Sequence, residues 1–172
     1  LIANDQRALF EREILPDYIR GCRWFGGKAR TIRAVQITEE IPISTEANAA
    51  RIWFLDVSYL EGATETYALP VKITSGAASN HALRSAPHAV IARFGRDARF
   101  ILQDAVWDNR FRDELFRTLA TQQCLKGKGG DLCGVAGSAL QNEETSGLES
   151  QVMNAEQSNS SMLFGNAFFV KL

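Results

Sequence analysis

Ile52-Trp53-Phe54-Leu55-Asp56-Val57-Ser58-Tyr59, then Glu61-Gly62, then Thr64 through Thr66, Tyr67, Leu69, Val71 and Ile73, is the stretch on which the fold turns. Both arms are rich in β-branched and aromatic residues, and an acidic-glycine turn separates them. That combination is the signature of an antiparallel β-hairpin. Upstream, Ile32, Val35 and Ile37 lead into Ile41 and Ile43, with Pro42 marking an edge or a strand end. Downstream, residues 74–88 are filled with Ser, Gly, Ala, Asn and both histidines and read as a connection. Ala89–Phe94 and Arg99–Leu102 then flank Gly95-Arg96-Asp97, a second hairpin.

Helical periodicity brackets this sheet. At the start, Asn4 or Asp5 can cap a helix through Arg7 to Ile14, with Leu9, Phe10 and Ile14 on one stripe. Pro16 biases Leu15 away from helical geometry, so a break or kink is expected there, with one more turn over residues 17–20. Past the sheet, Asp108 caps an amphipathic helix. Its Phe111, Leu115 and Leu119 share a face with Phe116 beside them, while Arg110, Arg112, Asp113 and Arg117 are expected to face water. Trp107, just ahead of the cap, is placed to staple back onto Phe111 or Arg112. Between first helix and first strand, Arg23-Trp24-Phe25-Gly26-Gly27-Lys28 sets two large aromatics before a glycine pair. The aromatics are expected to anchor the helix end against the sheet. A phosphate cradle would need a strand before the glycines and a helix start behind them. Trp53, Tyr59 and Tyr67 could line a sugar platform, with core or sheet-face packing the favoured alternative.

From Gln122 to Ser150 the periodicity fades into Gly, Ser, Glu and Asn, which reads as a mobile linker and a domain boundary. Residues 151–154, a polar turn at 156–161, Met162–Phe164, Gly165-Asn166 and Phe168–Leu172 then read as strand, turn, strand, hairpin and strand. The first residue is Leu1 rather than Met and no terminating signal follows the last strand, so a piece of a longer polypeptide is expected.

The 172 residues suffice for a true core, and 45% hydrophobic with 23% charged residues is a globular balance. A net charge of −1 argues against nucleic acid as a partner. No apolar run approaches membrane-spanning length and no basic-then-apolar leader is visible, so neither a membrane partner nor secretion is expected. Charge is uneven: Arg20, Arg23, Lys28, Arg30 and Arg33 are followed by Glu39, Glu40, Glu46, Asp56, Glu61 and Glu65. Pairing between neighbouring strands is the simplest use of that arrangement, and an anionic-ligand site is the alternative. Cys22, Cys124 and Cys133, with no C-x-x-C, fit reduced thiols and a cytoplasmic setting better than a disulfide framework. His81 and His88 are too few for a structural zinc site.

Familiar catalytic signatures are missing: Gly127-Lys128-Gly129-Gly130 lacks the spacing of a P-loop, and neither G-x-S-x-G nor H-E-x-x-H occurs. One constellation carries chemistry. Ser158, Asn159, Ser160 and Ser161 form a polar turn between strands, and Lys171 lies on the strand after next. In protein-kinase-like folds such a turn covers nucleotide phosphates with backbone N–H groups, and a strand lysine pairs them.

Four stretches, in order, resemble bacterial maltokinases, including those fused to trehalose synthase. They are Arg23–Lys28, Glu65–Pro70, Asp104–Phe111, and Glu156–Ser161 with Lys171-Leu172. The resemblance implies an α+β fold in which a curved antiparallel sheet packs on a helix, a cystatin-like cap, followed by the first antiparallel strands of a kinase-like N-lobe. It implies a cap over residues 1–130, a flexible linker at 131–150, and the opening of an ATP-binding lobe at 151–172. Ser158, Asn159, Ser160, Ser161 and Lys171 would then be nucleotide-binding. ATP and Mg²⁺ would act in the intact parent protein, phosphorylating maltose to maltose 1-phosphate, with neither held tightly by this piece. The partners implied are the kinase C-terminal lobe and, in fused members, a trehalose synthase domain. The catalytic loop and the acidic Mg²⁺-binding motif of such kinases lie outside this sequence, so the piece alone is not expected to catalyse. A stand-alone cystatin-like interaction module is the alternative. The isomerase part of a trehalose synthase is excluded by the lack of alternating β/α pattern.

Overall fold

The computed structural model describes residues 4–46, 48–142, 145, 147–153 and 159–172. Helix α1, Asn4–Leu9, runs through a π-helical segment, Phe10–Ile14, into α2, Leu15–Gly21. Of the break or kink expected at Pro16, no break is seen: the helical path continues, widened by the π-helical segment just before it. Pro16 has no N–H and crowds the carbonyl four residues back, and a wider turn accommodates it. The Leu15 N–H donates to the Phe10 carbonyl, the i→i−5 bond of a π turn.

Strands β1 (Ile32–Pro42), β2 (Arg51–Tyr59), β3 (Glu65–Ser75), β4 (Val90–Phe94) and β5 (Phe100–Asp104) form one antiparallel sheet in the order β1-β2-β3-β5-β4. The fold is α+β. The β2–β3 hairpin sets Trp53 opposite Leu69 and Leu55 opposite Tyr67, as the alternation predicts. Helix α3, Ala77–Ser85, occupies part of the stretch expected as a plain connection.

Because side chains alternate along a strand, β2 feeds two cores. On one face Trp53, Leu55, Val57 and Tyr59 pack with Phe10, Leu15, Ile19 and Phe25. Leu15 and Ile19 are fully buried, each contributing about 1.5–3 kcal/mol of transfer free energy. On the other face Ile52 and Phe54 meet helix α4, Asn109–Ala120, through Phe111, Leu115 and Phe116. Asp108 caps α4 by accepting the Phe111 N–H at 3.1 Å.

The second core continues into the tail. Strands β6 (Cys124–Lys126) and β7 (Asp131–Cys133) form a hairpin, and a short helix α5 (Ser138–Asn142) comes next. Strands β8 (Ser150–Val152), β9 (Ser161–Phe164) and β10 (Phe168–Lys171) form a sheet in the order β10-β9-β8. The stretch expected as a linker thus carries a hairpin strand and a helix. Phe116 stacks on Phe164 at 4.3 Å and lies 5.3 Å from Phe168, so α4 serves the sheet and the tail together.

Two further expectations are corrected. Cys124 and Cys133 are joined as a disulfide. They are directly opposed across the β6–β7 ladder with Cα atoms 4.0 Å apart, which brings the sulfurs together. With that bond in place the cysteines no longer point to a reducing compartment; Cys22 is a free thiol. Arg112, expected to face water, is buried, because β8 returns over that side of α4. Its guanidinium donates to the Val106 carbonyl at 2.8 Å, the Ser150 carbonyl at 3.1 Å and the Ser150 hydroxyl at 3.1 Å. Among the described residues no helix is long and apolar enough to cross a membrane.

Candidate functional site

A cavity of about 590 Å³ opens where the end of α2, the turn after β5 and the tail meet. Its floor is Asp104, the last residue of β5. The Asp104 carboxylate accepts the Val106 N–H at 2.9 Å and the Tyr18 hydroxyl at 3.3 Å. Burial disfavours its charge, and the carboxyl is pushed up to about 6 against the pull of those two donors. The Tyr18 phenol is raised by burial first and then by the Asp104 charge. Cys22 donates its thiol to the Tyr18 carbonyl at 3.4 Å, and burial pushes the thiol up to about 12. A thiol held protonated is a poor nucleophile. The wall carries His88, edge-on to Trp107 at 4.4 Å between ring centres. What the arrangement offers is a buried carboxyl, raised to about 6, in a cavity also lined by Trp24 and Trp107.

The residues expected to bind nucleotide divide. Asn159, Ser160 and Ser161 line this cavity. Lys171 is exposed and does not line it; its ammonium lies 5.6 Å from the Phe169 ring centre. Ser158 lies outside the described residues. The Ser160 N–H already donates to the Leu172 carbonyl at 3.0 Å, extending the β9–β10 ladder. Among the described residues no group of three or more His, Cys, Asp or Glu side chains converges to hold a metal ion. The 159–161 turn and Lys171 thus do not converge on one pocket among the described residues.

The Arg23–Lys28 segment is a packing device. Phe25 is buried, and its ring lies 5.2 Å from that of Tyr67, with Trp24 5.8 Å from the same ring. A Cβ at Gly27 would collide with the Tyr59 hydroxyl and the Phe25 ring, so close approach demands glycine there. Glu65 gathers the Tyr59 hydroxyl at 2.9 Å, the Tyr67 hydroxyl and the Arg30 guanidinium, and the Arg30 group sits 3.6 Å over the Tyr59 ring. Arg51 likewise pairs with Glu40 at 3.0 Å across β1 and β2, so with Arg30 on Glu65 part of the expected charge pairing is present. Trp53 is buried and donates its indole N–H to Glu40 at 2.8 Å, which makes it core.

A second anion-gripping feature lies on the far edge. The turn after β6 points the N–H groups of Lys128, Gly129 and Gly130 at the Glu39 carboxylate, two of them at 3.0 Å. These donors and the Glu40 N–H lower the Glu39 carboxyl to about 2, the Lys128 bond contributing most. The glycine-rich turn binds a carboxylate of the same chain.

Sequence reasoning missed Tyr18, Cys22, Asp104 and Arg112. Asp104 left one trace, an acid closing the apolar run Phe100-Ile101-Leu102. No curated protein matches the chain. The sequence model of the maltokinase N-terminal cap domain matches residues 18–108, a span that runs from Tyr18 through the five-stranded sheet to the cap of α4. With more than half of its length covered, the chain belongs to the maltokinase N-terminal cap domain family.

Proposed function

We propose that this polypeptide is the cap and the opening strands of the ATP-binding lobe of a maltokinase. The intact protein would transfer the γ-phosphoryl group of ATP to maltose, with Mg²⁺, in a cytoplasmic setting. The observation that carries this reading is the core shared by cap and tail. Phe116 stacks on Phe164, and Arg112 bonds both oxygens of Ser150, so α4 fixes the position of β8 and β9. The cap's work is then mechanical: it holds the strands flanking the 159–161 turn in register. Lys171 would reach phosphate only once the rest of the lobe is assembled beside β10. The kinase C-terminal lobe is the partner this requires, and a trehalose synthase domain is the partner in fused members.

The test is a phosphorylation assay of the full-length parent with maltose, ATP and Mg²⁺, reading maltose 1-phosphate. Product from the parent and none from this 172-residue chain is the expected result. A folded, magnesium-supplied parent that forms no product overturns the proposal.

A further inference from the structure

Strand β1 is an edge of the five-stranded sheet, and an open edge presents unpaired N–H and C=O groups to any extended chain. At Ile37 this edge is closed. Glu11 accepts the Ile37 N–H at 2.9 Å, and Arg7 donates to the Ile37 carbonyl. Arg7 and Glu11 also bond each other at 2.9 Å, so the pair satisfies one residue's worth of strand edge. Both Ile37 backbone groups face away from β2, and the register is unbroken from Ala34 to Ile37. The two-residue alternation therefore places the N–H and C=O of Val35 on the same outer edge, beyond reach of that pair.

A groove of about 550 Å³ lies there, with the consecutive residues Ile32–Gln36 as one wall. The opposite wall comes from the α1–α2 helical run, including Ala8, Arg12, Pro16 and Arg20 at four-residue spacing. An edge strand facing a helix across a groove is the arrangement that receives a peptide by strand addition. A strand added here would lie about 4.8 Å from β1, the spacing of neighbouring strands in a sheet.

Charge narrows the occupant. Arg12 is paired with Glu13 at 2.7 Å and Arg20 with Asp17 at 3.4 Å, while Glu11 is engaged by Arg7 and the Ile37 N–H. Arg33, which lines the groove, has no side-chain partner among the described residues. The geometry points to a docking site for an extended acidic segment of a partner polypeptide, paired with the backbone of Val35 and presenting a carboxylate to Arg33. This does not depend on the maltokinase reading.

The test is amide hydrogen exchange of the whole chain by NMR, with a set of acetylated heptapeptides alternating Val or Thr with one Asp placed at each position in turn. The expected result is slowed exchange at Val35 with at least one acidic peptide. The same peptide N-methylated on alternate amides should lose binding. Arg33→Glu should weaken it about fivefold, the range of an exposed ion pair. Arg93→Glu, on the opposite sheet edge, controls for net charge and should leave affinity unchanged. Three outcomes overturn the proposal: equal binding by the N-methylated peptide, protection at β4 or β10 instead of Val35, or no protection by any peptide up to about 1 mM, the weak limit for such contacts.

Discussion

Asp104 holds the sheet to α2 and to the turn before α4, and Glu39 holds it to the glycine-rich turn after β6, with opposite electrostatics. Asp104 sits in the protein interior with two donors, and burial raises its carboxyl to about 6. Glu39 lies at the surface, yet backbone N–H groups hold its carboxyl down to about 2. Donor number and access to water, rather than residue type, therefore set a carboxyl's behaviour. The two ties also differ in strength. The deep tie rests on the core around Phe116, with Asp104 ordering the turn before α4. The shallow tie is a hairpin clasped by a disulfide and held to β1 by a side chain.

The deep tie is where a single change does most damage. Phe116→Ala removes a ring that contacts both Phe164 and Phe168, and unfolding free energy should fall by about 3–5 kcal/mol, read from urea midpoints. At the shallow tie, reducing the Cys124–Cys133 bond, or replacing both cysteines by serine, should cost about 2–3 kcal/mol for a loop of this size. Calorimetry with and without reductant reads that loss.

Asp104→Asn isolates the electrostatic side of the contrast. A folded pKa raised above the unfolded value gives stability that is complete below about pH 4 and lost as pH rises through about 6. Wild type should therefore lose on the order of 2 kcal/mol between those limits, and the amide variant should show no such slope, because it has no charge to bury. A wild-type stability that rises over this interval by the Asp104-dependent amount would contradict the assignment.

The smallest effect is expected from Glu39→Gln, and it has the opposite sign in pH. A depressed carboxyl gives stability that is present above the ordinary carboxylate range and lost as pH falls through about 2. The variant should be less stable than wild type at neutral pH and converge with it in strong acid. Faster amide exchange at Lys128 and Gly130 would locate the loss in the turn.

The sheet was legible because it is built from consecutive strands whose apolar alternation survives in the residues themselves, from Trp53 to Tyr59 and from Tyr67 to Ile73. The α4 face was legible for the same reason. Arg112 was not, because β8, almost forty residues later, supplies the groups that bury it. The disulfide was hidden by register: a C-x₈-C spacing says nothing until four intervening residues close a turn that sets Cys124 opposite Cys133. Asp104 and Tyr18 are 86 residues apart and meet only because α2 packs beneath β5. The polar turn was legible as composition, and the structure places Asn159–Ser161 against the cavity while Lys171 stands apart from it.

The widened turn at Phe10–Ile14 sets the rotational phase of everything before it. Each helical residue advances the chain by about 100°, so excising one residue from that segment would restore a regular helix and swing α1 round by nearly a third of a revolution. Arg7 would then leave the rim of the sheet altogether. One added residue, of no chemical distinction, thus keeps Ile37 sealed and decides how much of the neighbouring strand stands open to a visitor.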